Sequence, residues 1–334
     1  MRIGVISSIA HRTPPRDYGP WEQVASTLTE GFVRRGHEVT LFATADSVTA
    51  GTLHGSAPTG YEEDLDIDPK VWGALHIASA FERASEFDVL ANHFDFVPVS
   101  YSRLVDTPLV TTIHGFSSER IVPVFRAYND IGHYVAISEA DRHPDLRYAA
   151  TIYHGIDTTR FTFRERPGRH LLFFGRIHPH KGTHLAIDVA ERTGIPLVLA
   201  GIVQDRDYFE QAVRPRIDGR RIDYVGSVGP DVRDELLGSA LALLHLISFA
   251  EPFGLSVVES LATGTPVIAR SLGSMPEIID HGRTGFLVND LDEAVAAVAG
   301  LDRIDRRVCR GEAVRRFDQE RMVDEYLNLF QRLR

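Results

Sequence analysis

Lysine is nearly missing from this chain. Of 36 basic residues only two, Lys70 and Lys181, are lysines, so arginine is the default cation and a lysine is unusual. There is a single cysteine, Cys309, which excludes an internal disulfide, fits a reducing compartment and reads as an incidental thiol on a C-terminal helix. No run of about 18 apolar residues occurs, which excludes a membrane-spanning helix. The opening "MRIGVISSIAHRTPP" lacks the small-residue cleavage pattern of a signal peptide. These absences predict a soluble, cytoplasmic, unprocessed protein. Clustered positive charge is also lacking. The net charge is −10, with 12 Arg and Lys against 20 Asp and Glu in residues 1–155, and 24 against 26 in the rest. That balance argues against nucleic acid as a partner and disfavours association with an anionic membrane, since both reward basic clusters. Neither a Walker loop nor a Gly-x-Gly-x-x-Gly fingerprint after the first strand is found.

What is present is an average globular composition, 43% hydrophobic and 25% charged over 334 residues, long enough for about two domains. "RIGVIS" (2–7) is a β-branched run. Trp21, Val24, Ala25, Leu28 and Phe32 follow at helical spacing, Gly36 ends that helix, and "VTLFAT" (39–44) is the next strand, so the chain opens βαβ. Apolar runs at 88–92, 108–114, 134–138 and 151–155 continue the series as buried parallel strands. After an irregular stretch from Gly155, a second series runs through 171–175, 196–201, 221–226, 241–247, 266–269 and 285–288. The pattern predicts an α/β fold of two doubly wound parallel-sheet domains, 1–157 and 158–316, followed by a segment 317–334. In that last segment Met322, Val323, Tyr326, Leu327, Phe330 and Leu333 share one helical face, which needs something to cover it.

Two stretches carry chemistry. "FFGRIHPHKG" (173–182) joins a strand to a helix and brings Arg176 and the rare Lys181 to a strand's carboxyl end, where α/β sheets bind ligands. Two cations beside a helix start suit a diphosphate. In "EPFGLSVVES" (251–260) Glu251 follows a strand, Pro252 and Gly254 shape a turn, and a helix begins near Leu255. The N–H groups of Gly254 and Leu255 have no carbonyl one turn earlier and can meet a phosphate. Glu259 lies one turn inside, among Val257, Val258, Leu261 and Ala262, and a carboxylate in such company needs donors. Vicinal sugar hydroxyls are such donors. Two carboxylates and two cations together describe a nucleoside diphosphate-sugar.

At these residues the sequence resembles the retaining GT-B glycosyltransferases of family GT4. "GRIHPHKG", the Glu-x7-Glu of "EPFGLSVVE", and "GTPVIARSLGSMPEIIDHGRTGFLV" carry the likeness through the second domain, and "TTIHGFS" and "YHGID" extend it into the first. The resemblance implies the GT-B fold: two Rossmann-like domains facing a cleft, with the last helix crossing back to the N-terminal domain. By matching position it implies that Arg176 and Lys181 hold the pyrophosphate, Glu259 the ribose and Glu251 the donor hexose. Phe253, Gly254 and Leu255 would line phosphate and sugar with backbone atoms, and Val228 would lie near the base. His114 would stand beside the donor sugar. The first loop departs from the family pattern, with Gly19-Pro20 where two glycines are common; proline removes one N–H donor, although Gly19 can still approach the donor. "DLDID" (64–68) superficially matches the Asp-x-Asp of metal-dependent transferases but sits in an acidic loop away from the other motifs, so no metal and no cofactor are expected. The expected activity is retaining hexosyl transfer from a GDP-mannose or UDP-glucose type donor to a soluble sugar or sugar-phosphate acceptor. A GT-B-fold sugar-nucleotide epimerase and a non-catalytic partner module are the rivals.

Overall fold

Short β-branched runs alternate with helices through most of the chain, and in the computed structural model, which describes residues 1–16, 18–116 and 119–333, they build two parallel sheets. The first holds β1 (Arg2–Ile6), β2 (Glu38–Thr44), β3 (Thr52–Ala57), β4 (Val89–Asn92), β5 (Leu109–Ile113), β6 (His133–Ala136) and β7 (Tyr148–Thr151) in the order β3-β2-β1-β4-β5-β6-β7. The second holds β8 (Leu171–Phe174), β9 (Leu197–Ala200), β10 (Ile222–Tyr224), β11 (Ala242–His245), β12 (Val267–Arg270) and β13 (Gly285–Val288) in the order β10-β9-β8-β11-β12-β13. Every strand pairing is parallel. Each order runs outward from a central strand in both directions, which is the doubly wound pattern, and it places a topological switch point between β1 and β4 and another between β8 and β11. At such a point the connections leave in opposite directions and a crevice opens at the strands' carboxyl ends.

The backbone contacts divide the chain into two units, Met1–Gly155 with Gln319–Arg334, and Ile156–Asp318. Two strand expectations need correction. β3 was not foreseen, because "TLHGSA" is an edge strand with a glycine, a histidine and half-exposed positions, which leave no continuous apolar run. The strand expected at 151–155 is instead Tyr148–Thr151. Ile152 still donates its N–H to Ala136, but by Gly155 the chain has left the sheet and its N–H meets the Met322 sulfur.

In the first unit the helix Pro20–Arg34 and the final helix Gln319–Arg332 pack on the same face of the sheet. Val24, Leu28 and Phe32 form one cluster with Met322, Val323, Tyr326, Leu327 and Phe330. The apolar face of the last segment is thus covered. Gly31 allows the close approach: a Cβ there would fall 2.4 Å from Val323 Cγ2. Deep in this interface the hydroxyls of Tyr326 and Thr112 share a hydrogen bond of 2.7 Å.

In the second unit the helix Arg306–Phe317 fixes the loops beneath the sheet through arginine forks. Arg306 is only 6% exposed, and among the described residues no carboxylate forms a salt bridge with it. Its guanidinium donates to the carbonyls of Arg164, Ala240 and Gly238 and to Thr265 Oγ1, at 2.5 to 3.0 Å. Burial, and then the nearby Arg164 charge, pull its pKa down to about 10, so it remains a cation at neutral pH. One turn on, Arg310 donates to the carbonyls of Phe161 and Ala262.

Truncation of Arg306 to alanine removes four donations to buried acceptors. The expected cost is roughly 3 kcal/mol or more, since hydrogen bonds to charged groups are each worth about 1.5–3 kcal/mol. Urea unfolding followed by circular dichroism should show the transition moving to lower denaturant; an unchanged midpoint would mean that these carbonyls find other donors without loss.

Candidate active site

The switch point of the second sheet is where the two marked stretches of sequence meet. The loop after β8 runs from Gly175 through a short turn, Pro179–Lys181, in which the His180 N–H donates to His178 Nδ1. Gly182 follows at φ 74 and takes the left-handed conformation that glycine alone adopts freely. It also lies against the next strand's end: a Cβ there would sit 2.0 Å from the Leu246 carbonyl. Ser248 N–H donates to the His180 carbonyl, so the loop after β8 rests directly on the loop after β11.

That contact brings Lys181 and Glu251 together. Lys181 Nζ donates to Glu251 Oε2 at 2.7 Å, with the side chains only 17% and 13% exposed, and it lies 4.7 Å from the centre of the Phe249 ring. Behind the carboxylate is His245, the last residue of β11, buried, with Nε2 3.5 Å from Glu251 Oε2. Burial by itself would raise the Glu251 carboxyl, but the His245 ring and the Lys181 ammonium outweigh it and hold the pKa down at about 2. Glu251 is therefore ionised at physiological pH. The stabilisation from its pairing is present above the ordinary carboxyl range and is lost only as pH falls toward 2.

A third loop closes the site from the far side. Ser274 N–H donates to the Glu251 carbonyl and Ser274 Oγ to the Phe253 carbonyl. Gly273 at φ 58 leaves room for this, because a Cβ there would fall 2.4 Å from both the N and the O of Glu251. Gly254, at φ 92, begins the helix Leu255–Ala262 with no side-chain cap, so the first-turn N–H groups have no side-chain acceptor. Phe253 is buried with its ring against Phe317, which leaves only its backbone for a ligand.

The remaining expected residues are placed as follows. Glu259 is buried one turn into the helix, its Oε1 3.1 Å from Arg233 Nη1. Burial raises its pKa, and the charges of Arg233 and then Arg160 offset that only in part. Arg176 does not join Lys181; it donates to Gln204 Oε1 on the loop after β9 at 2.8 Å. Val228 is half-buried in the turn after β10, at the same edge of the sheet, with no polar bond to the others. Gly19 and His114 belong to the first unit. Gly19 caps the helix Pro20–Arg34 at φ 156, and a Cβ there would meet Pro15 at 2.8 Å and Glu22 Oε2 at 2.9 Å. His114 is half-buried at the end of β5, stacked on Trp21, and both its ring nitrogens are engaged by His93 and His154.

Sequence reasoning missed His245, Arg233, Gln204, His93 and His154. His245 is hidden in the apolar run "LALLHLI", and Arg233 is one arginine among many. The two histidines had a readable signal: His93 directly follows the run 88–92, and His154 lies near the end of the run 151–155, much as His114 ends the run 108–114. Among the described residues no group of His, Cys, Asp and Glu could hold a metal ion, and no helix is long and apolar enough to cross a membrane.

Comparison with known proteins agrees with this geometry. The family described as Glycosyl transferases group 1 matches residues 157–305, and Glycosyltransferase Family 4 matches residues 21–160. An uncharacterised glycosyltransferase of Methanocaldococcus jannaschii is 25% identical over 90% of this chain and 88% of its own length. Several other relatives match over 48% to 51% of this chain, which spans 41% to 42% of their length. Among solved structures, a glycosyltransferase involved in avilamycin A biosynthesis superposes with a TM-score of 0.74 at 25% identity, covering 100% of this chain and 98% of that one. The Anabaena protein HepE, solved in complex with UDP and glucose, gives a TM-score of 0.75 at 18% identity over 99% of each chain. Both matched families are transferases, which leaves the epimerase reading without support. With two doubly wound sheets and family matches that together run from residue 21 to residue 305, the chain belongs to the GT4-type glycosyltransferases and has the GT-B fold.

Proposed function

We propose that the chain is a retaining, metal-independent hexosyltransferase that takes its sugar from a nucleoside diphosphate-sugar of the UDP-glucose or GDP-mannose type. The observation that carries this reading is the Lys181–Glu251 pair at the switch point between β8 and β11, beside the uncapped helix start at Gly254. The complex of the Anabaena neighbour with UDP and glucose supports a donor of this class. Lys181 and Arg176 would hold the diphosphate, joined by the N–H groups of Gly254 and Leu255. Once the diphosphate takes over Lys181, the ionised Glu251 is left with both oxygens ready to accept from hexose hydroxyls. Glu259, with one oxygen on Arg233, keeps the other for the ribose. Phe253 contributes backbone only, Val228 borders the base, and Gly19 and His114 serve from the first unit.

In the transfer step the bond between C1 and the diphosphate oxygen breaks and a bond from C1 to the acceptor oxygen forms on the same face. The acceptor's proton goes to the departing phosphate oxygen, so no separate base is needed. Charge developing on the diphosphate is met by the two cations and the helix start, which together take the place of a metal ion. Glu251 orients the sugar and is not a nucleophile. The acceptor is a hydroxyl of a soluble sugar or sugar phosphate, in keeping with the excess of acidic residues in residues 1–155, and the enzyme acts in the cytoplasm.

Three experiments bear on this. Glu251→Gln should fold normally and bind nucleoside diphosphate, yet lose about 100-fold in kcat as the sugar is misplaced; unchanged turnover would remove Glu251 from the site. Lys181→Ala should weaken nucleoside diphosphate binding about 10-fold or more in calorimetry, the worth of one charge-assisted hydrogen bond, whereas equal affinity counts against the phosphate assignment. Transfer should be indifferent to EDTA. Loss of activity on chelation, restored by magnesium or manganese, contradicts the metal-independent mechanism.

A further inference from the structure

Three histidines stand at the carboxyl ends of strands in the first sheet. His93 follows β4 directly, His114 follows β5 directly, and His154 lies just beyond β7. β4 flanks that sheet's switch point, so this edge is the one on which a doubly wound unit presents ligand-facing groups. The turn after β4 is tied down locally. The Asn92 side chain donates to the Asp95 carbonyl and to Thr111 Oγ1 and accepts from Phe94 N–H, while His93 N–H continues the ladder to the Ile6 carbonyl.

The rings are joined in series. His93 Nδ1 lies 3.0 Å from His114 Nε2, and His114 Nδ1 lies 3.2 Å from His154 Nε2. Trp21 stacks on the His114 ring, with 5.3 Å between centroids and 21° between planes. His114 is thus clamped at two edges and on one face. His93 and His154 are 0% and 4% exposed, and burial keeps all three rings far below the usual histidine range, His93 and His154 at about 3. The three rings are therefore neutral at neutral pH.

Counting protons restricts it further. A neutral imidazole carries one N–H, and each of the two inter-ring bonds requires one and only one proton. If His93 is protonated on Nδ1, His114 must accept on Nε2 and therefore carry its own proton on Nδ1, and His154 follows. If His93 is protonated on Nε2, all three are. The tautomers are therefore coupled as all-δ or all-ε. His93 Nε2 and His154 Nδ1 are the two ends of the series and both atoms are buried: the all-ε state puts its end N–H on His93 Nε2, the all-δ state on His154 Nδ1. Mixed states are excluded in either case.

We propose that His93 and His154 are positioning residues that lock His114 as a neutral ring in the one tautomer all three share, held flat against Trp21, and that His114 consequently does not take up the acceptor's proton. A second proton on either His114 nitrogen would set two hydrogens against each other in one of the inter-ring bonds. Its catalytic meaning rests on the proposed transferase function; the tautomer lock itself does not.

The test therefore has an arm that needs no substrate. Nitrogen-15 spectra of the histidine rings in the unliganded full chain should show His93, His114 and His154 all protonated on the same nitrogen, Nδ1 in every ring or Nε2 in every ring. A His114 ring whose tautomer differs from that of its neighbours, or averages independently of theirs, overturns the lock whatever the protein transfers. In the second arm His93→Leu should mix the His114 tautomers and lower kcat about 10- to 100-fold with little change in donor KM, as expected for a misoriented group. His93→Asn, whose amide near the old Nδ1 position can donate or accept, should recover most of that loss. Equal kcat in wild type and the leucine variant, or no recovery by asparagine in a folded protein, overturns the positioning role. If the leucine variant does not fold, the wild-type spectrum alone decides.

Discussion

The second unit's ligand edge depends on one contact, the Lys181 ammonium 2.7 Å from the Glu251 carboxylate. Neither charge is stable alone when most of its water is removed, so each requires the other until a ligand arrives. The contact forces three loops nearly onto one another's backbone. They meet where no side chain fits, at Gly182 against Leu246 and at Gly273 against Glu251. The same crowding leaves Gly254 to start a helix without a side-chain cap. A lysine suits this position better than an arginine. Its compact charge on a flexible stem can move from a carboxylate to a phosphate, where a planar fork would be held by two directional bonds.

Arginine has the complementary task in the same unit. Arg306 and Arg310 spread their forks over backbone carbonyls of three separate segments, which a point charge with three donors would satisfy less well. Arg233 meets Glu259, and Arg176 meets Gln204. The near absence of lysine thus separates two kinds of work: rigid forks organise the fold, and the lysine at the switch point remains movable. The cations and carboxylates of the site are already paired before any ligand binds. A diphosphate bound there would exchange partners and bury no fresh protein charge, which would lower its desolvation cost.

Much of this was legible in the sequence because parallel strands buried on both faces leave continuous apolar runs. Eleven of the thirteen strands fall on such runs; β3, at an edge and partly exposed, leaves none, and β7 lies earlier than its β-branched neighbours suggest. The Lys181 and Glu251 pairing was legible in part, since each residue stands at a strand end with turn residues beside it. Arg233 and His245 were not. Nothing local distinguishes a guanidinium that crosses between helices to reach Glu259, or an imidazole that closes an apolar strand behind Glu251. The histidine chain lies between these cases. Each ring sits at a readable position, but the series of bonds depends on strand order, which brings residues 21 and 40 apart in sequence into contact.

The two sheets repeat one topology and use it with opposite electrostatics. At the second unit's switch point the side chains are charged and paired, and Glu251 is held ionised by its neighbours. At the first unit's edge the clustered side chains are imidazoles kept neutral by burial, backed by the indole of Trp21. Neutral rings whose nitrogens are spent on one another add no charge at that edge, so its order comes from hydrogen bonds and stacking alone. The excess of acidic residues in the first 155 does not alter that edge, because burial rather than net charge sets the state of these three rings.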